Sequence, residues 1–194
     1  MILTILTLST CAMGAQEARD KHMNGHFLKN LPDEDCMSEL DARYADFNKE
    51  QAEVYLHMMR TGSELVSRVE DYLSQFGLSS GRMSILMILN TNEGCQKTPA
   101  EIADRCGVTR ATVTRLVDGL VADGHIERLE DPNDRRSNPI RLTESGQQLL
   151  DSLLPGYFRG IGEIFSPLGK AESTEFIRLL DKLHDHLNKR TEML

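Results

Sequence analysis

The sequence predicts a mainly α fold carrying one small β-hairpin, on three observations. Apolar residues recur at helical spacing through most of the chain after residue 37. The stretch 125–143 instead holds two short alternating segments around a tip of turn formers, DPNDRRS. Aromatic residues make up 5% and Trp is absent, which suits a helical core of Leu, Ile, Val and Met better than a β-sandwich.

Residues 1–35 are polar, broken by Gly25 and Pro32, and carry the acidic run Asp33, Glu34, Asp35, so order is not expected there. The opening MILTILTLSTCAMG imitates a secretory signal but has no Lys or Arg before its apolar run. A membrane span would need about 20 apolar residues. With Met13, Met23 and Met37 as alternative starts, residues 1–36 are read as a disordered or mis-called leader. No other segment is able to span a bilayer.

Ser38 is placed to cap a short helix carrying Leu40, Tyr44 and Phe47. A long amphipathic helix follows at 50–76, with Val54, Met58, Leu65, Val69, Tyr72 and Leu73 near helical spacing and Gly77 ending it. The next, 79–90, is apolar at Met83, Ile85, Leu86, Ile88 and Leu89. Two short helices at 99–105 and 109–123 precede the paired segments 125–130 and 138–143. A helix from 143 to 167 should kink at Pro155 and Gly156. The last, 171–190, aligns Phe176, Leu180, Leu183 and Leu187 on one stripe.

A length of 194 residues allows one domain with a real core. The net charge of −8 is unevenly spread. Residues 1–96 hold 8 basic and 14 acidic side chains, 97–142 hold 8 of each, and 143–194 hold 6 and 8. A polyanion would be drawn to the middle segment and repelled by its flanks, which orients the molecule. Cys11, Cys36, Cys95 and Cys106 form no C-x-x-C pair, as expected for reduced thiols in a cytoplasmic protein.

Residues 99–123 read as a helix-turn-helix. Ala103 is small where two helices cross, and Gly107 stands where the turn needs a left-handed backbone. Val108, Val113 and Leu116 are expected to fill the wedge, and Thr109 to cap the second helix. That leaves Thr109, Arg110, Ala111, Thr114 and Arg115 facing outward. Arginine suits guanine edges in the major groove, and Thr and Ala suit phosphates and thymine methyls. The hairpin tip adds Asp134, Arg135 and Arg136 for the adjoining minor groove. Asp134 is read as bracing Arg136 through a charge-assisted bond.

The stretch from the helix before Gly77 to the string DPNDRRSNPIRLTESG resembles the MarR (multiple antibiotic resistance regulator) family. D-x-R followed by I-x-LT-x-x-G is its most specific part. The resemblance covers about residues 38–190 and implies a winged helix-turn-helix (78–143) between dimerisation helices (37–76 and 145–190). It also implies a homodimer on a palindromic operator of double-stranded DNA, usually a repressor, released by a small aromatic or anionic effector. Tyr44, Asp46 and Phe47 resemble the branch that represses multidrug efflux pumps. The urate-responsive branch has a Trp that this chain lacks, and Ser84 stands near its Asp position.

An effector pocket between the dimer helices and the DNA lobe would draw on His57, Met58, Met59, Arg60, Met83, Met87 and Tyr157, each methionine having ordinary core filler as its plainer role. A thiol-sensing variant of the same fold would use Cys36 near the start of the first helix. A helical interaction protein that binds no DNA is the remaining alternative. Among enzyme motifs the chain has no G-x-S-x-G, no phosphate-cradling glycine loop and no H-E-x-x-H. No cofactor or metal is expected, since His184 and His186 lie roughly 200° apart on a helix.

Overall fold

A computed structural model describes residues 31–91, 95–129 and 138–189 of the chain. The elements in order are α1 (Glu34–Arg43), α2 (Lys49–Ser74), α3 (Ser80–Leu89), α4 (Pro99–Cys106), α5 (Arg110–Ala122), β1 (Ile126–Arg128), β2 (Ile140–Leu142), α6 (Glu144–Phe165) and α7 (Lys170–Lys189). The chain divides into two compact units, one ending at Arg68 and one beginning at Val69.

In the first unit, α1 starts at Glu34 because Asp33 caps it, accepting the Cys36 amide at 2.9 Å. Ser38 is therefore not the cap. Its hydroxyl, inside the helix, donates to the Glu34 carbonyl at 2.8 Å. Asn48 caps α2 through the Gln51 amide at 2.8 Å. Lys49 pairs with Glu34, whose hydrogen bond raises the lysine pKa.

The second unit has one core. Leu73 and Leu78 pack with Met83, Ile85, Leu86 and Leu89 of α3, Ile102 and Ala103 of α4, and Val113, Val117 and Leu120 of α5. Ile126, Ile140, Leu150 and Leu153 complete it. The strands pair antiparallel with Ile126 opposite Leu142 and Arg128 opposite Ile140. Lys97 bridges Ile140 from the other side, so the residue just before the α4 cap is fastened to the hairpin. Thr143 joins hairpin to helix: its hydroxyl donates to the Gly124 carbonyl at 2.7 Å and accepts the Gly146 amide at 3.1 Å, capping α6.

The helix α6 runs without a break from Glu144 to Phe165, across Pro155, and one further expectation is corrected. Proline lacks only the amide that would reach Asp151, and the neighbouring Leu153 carbonyl gains the Tyr72 hydroxyl as a donor at 2.6 Å. Val108 does not fill the wedge, being 41% exposed. It follows the left-handed Gly107, and the wedge is filled instead by Val113, Val117 and Leu120 at helical spacing.

Candidate nucleic-acid interface

The helix-turn-helix is α4, Gly107 to Thr109, and α5. A capping box starts α4: Thr98 accepts the Glu101 amide and Glu101 returns a carboxylate oxygen to the Thr98 amide at 2.8 Å. These bonds, first the one from the Thr98 backbone, hold the Glu101 carboxyl below the usual range. The pattern T-P-A-E was legible in the sequence and went unused above. At the other end Gly107 has φ +64°; its amide donates to the Asp104 carbonyl at 3.3 Å and the Val108 amide to the Ala103 carbonyl at 3.2 Å. Thr109 then caps α5, accepting the Thr112 amide at 3.2 Å.

With Val113, Val117 and Leu120 buried, Thr109, Arg110, Ala111, Thr114 and Arg115 are all exposed, as the spacing predicts. Their polar groups differ in availability. The Thr109 hydroxyl is occupied with Thr112, and the Thr114 hydroxyl donates back to the Arg110 carbonyl at 3.0 Å. Arg110 and Arg115 have no hydrogen-bonding or ionic partner among the described residues, and neither has Arg105. Arg82 is tied to Asp123, Arg128 to Asp118, Arg141 to Glu127 and Arg178 to Glu175, while Arg159 on α6 is also without a partner among the described residues.

Residues 130–137, with Asp131, Asp134, Arg135 and Arg136, lie outside the described residues. The ladder leading to them ends with the Leu129 amide on the Pro139 carbonyl at 2.7 Å.

Of the residues considered for an effector, Met83 belongs to the core, while Met87 and Tyr157 are half-buried against it. The Tyr157 ring lies tilted against Tyr72, with centroids 6.3 Å apart. His57, Met58 and Arg60 are exposed on the α2 part of the first unit, and Met59 is half-buried. Met87 also lines an apolar groove of about 480 Å³ among α3, α4 and α5, with Arg105 and Cys106 at its wall. Burial pushes the Cys106 thiol up, away from the reactive thiolate. Cys36 is half-buried at the third position of α1. His184 lies within hydrogen-bonding distance of Asn188 at 3.0 Å, and no group of three or more His, Cys, Asp or Glu placed to hold a metal occurs among the described residues. Among those residues no helix is long and apolar enough to cross a membrane.

Residues 76–137 match the family model described as MarR family. The chain is 32% identical over 161 residues to the HTH-type transcriptional repressor YetL of Bacillus subtilis, covering 83% of this chain and 96% of that one. It is 28% identical over 148 residues to the transcriptional repressor MprA of Escherichia coli K12, covering 76% and 84%. Among solved structures it is similar to NMB1585, a MarR family regulator from Neisseria meningitidis, with 26% identity, a TM-score of 0.54, and 70% and 94% of the two chains covered. The left-handed turn, the exposed face of α5 and the hairpin behind it therefore have a common explanation: the chain belongs to the MarR family of DNA-binding transcription regulators.

Proposed function

We propose that the chain is a homodimeric repressor that lays α5 in the major groove of a palindromic operator and reaches the minor groove with Asp134, Arg135 and Arg136. The observation that carries this reading is the pair of exposed arginines, Arg110 and Arg115, without a partner among the described residues, on an α5 face otherwise made of Thr and Ala. Free guanidinium forks are what guanine edges and phosphates require. Homodimer formation is supported by α7, which buries none of its residues and exposes Phe176, Ile177, Leu179, Leu180, Leu183 and Leu187. A DNA partner places the protein's work in the cytoplasm.

The DNA is released, on this reading, by a small aromatic or anionic effector. The groove beside Met87 and Arg105 supports an effector of that chemistry, an apolar body with one negative charge. The redox alternative acts through Cys36, which lies half-buried in the first turn of α1. Oxidant treatment of wild type and Cys36→Ser separates the two, because oxidant must leave the serine variant on DNA if Cys36 is the sensor.

The test of the main reading is selection of bound duplexes from a random pool, followed by a salt titration on the winner. Enrichment of a palindrome with half-sites about one helical turn apart supports it. Binding without sequence enrichment, or no binding by reduced, effector-free protein, overturns it.

A further inference from the structure

Arg82, in the first turn of α3, reaches across to the far end of α5. Its Nη1 donates to Asp123 Oδ2 at 2.7 Å, and Asp123 is the C-cap of α5. On the way the guanidinium lies against Gly119. A Cβ built on Gly119 would fall inside contact distance of Arg82 Nη2, with the Arg82 Cζ at 3.2 Å. One turn nearer the start of the same crossing, a Cβ on Gly81 would come within 3.2 Å of the Leu116 Cδ1. Two glycines therefore let α3 and α5 approach, and the arginine fills the space that Gly119 leaves.

The chemistry of this contact is directional. The last turn of α5 ends in carbonyls at the negative pole of the helix, where a guanidinium is favoured. Its fork is anchored by a carboxylate rather than left to solvent, and only 27% of the side chain is exposed. Gly119 lies four residues beyond Arg115, on the same stripe of α5. A shift of the helix at Gly119 is thus passed one turn along to the arginine that faces outward.

We propose that Arg82 is a positioning residue for DNA recognition. By clamping the C-terminal turn of α5 over Gly119 it fixes the angle at which Arg110 and Arg115 are presented. This rests on the reading of α5 as the recognition helix. Because the clamp acts on the angle of α5, its loss should degrade discrimination more than attraction.

The experiment compares full-length wild type with Arg82→Ala, Asp123→Asn and Gly119→Ala on the selected operator and on a scrambled duplex. Thermal unfolding is recorded in parallel. Arg82→Ala is expected to lose roughly tenfold in operator affinity while scrambled-duplex affinity changes by less than about threefold. Asp123→Asn should do the same from the other end of the clamp, which keeps the test valid if Arg82→Ala folds poorly. Gly119→Ala should match Arg82→Ala despite Ala being the better helix former, and should add nothing in the Arg82→Ala background. Unchanged operator affinity in Arg82→Ala and Asp123→Asn overturns the clamp and leaves the DNA reading standing. Equal losses on operator and scrambled duplex overturn it too, because they report only a lost positive charge or general unfolding. A wild type that selects no sequence overturns both readings together.

Discussion

The backbone carbonyl of His125 occupies the place that a side chain on Gly146 would need. Any Cβ there meets a main-chain oxygen and carbon, which cannot turn away as a flexible side-chain end could, with the Leu142 Cδ2 also at 3.0 Å. The same His125 carbonyl accepts the Thr143 amide at 3.1 Å, so it is held in place. Gly146→Ala is therefore expected to cost about 3 kcal/mol or more, by forcing the hairpin base away from α6. Chemical denaturation checks this, and a loss below about 1 kcal/mol would mean the junction is softer than its hydrogen bonds imply.

Gly107 offers a contrast. Nothing lies within 4 Å of a Cβ built on it, and its φ of +64° is the sole obstacle to a side chain. Gly107→Ala should lower stability by about 1 kcal/mol, well under the Gly146→Ala effect. Measuring both by the same denaturant titration separates backbone strain from collision.

The α4 capping box predicts a pH response. Glu101 has its carboxyl held low in the folded chain, so its contribution is present above the ordinary glutamate range. That contribution is lost as pH falls through the range toward the folded value. Because the side chain is half exposed, solvent screening keeps the effect small. Thr98→Ala should cost about 1 kcal/mol at neutral pH. In Glu101→Gln, stability should fall less between neutral and acidic pH than in wild type, and an identical fall would place the acid sensitivity elsewhere.

On DNA, Arg115→Ala should change base preference at one position of each half-site by about 1–3 kcal/mol. Arg136→Ala should weaken binding sharply with the dimer intact, and the slope of log affinity against log salt should decrease in magnitude by about one. Titrations at several salt concentrations distinguish the two behaviours. Wild-type affinity of Arg136→Ala in low salt would remove the wing from the interface.

Tyr72→Phe tests the long reach between α2 and α6 within the second unit. It deletes the 2.6 Å bond to the Leu153 carbonyl and keeps the ring, which lies 5.4 Å from Phe76. A loss of about 1 kcal/mol in unfolding free energy is expected, with no change in DNA affinity at saturating stability.

What was legible in the sequence was local. Thr109 could be read as a cap and Gly107 as a left-handed turn because both signals act within four residues. The five outward residues of α5 followed from its period. Val108 was misjudged since its burial depends on how α4 and α5 cross, which no single period encodes. The Asp33 cap was masked by its place in an acidic run within a polar, broken segment, although carboxylates favour a helix start. Arg82, Gly119 and Asp123 were invisible as a group, their partnership spanning 41 residues. Nothing short of the fold brings them together.

An α7 that buries none of its residues also bears on dosage. If a second copy covers that helix, each chain gains stability by mass action from its siblings, and the bound pair scales with the square of chain number while subunits are scarce. Promoter occupancy would then rise steeply past a threshold of expression. A cell could relieve repression by diluting the regulator through growth, with no effector at all.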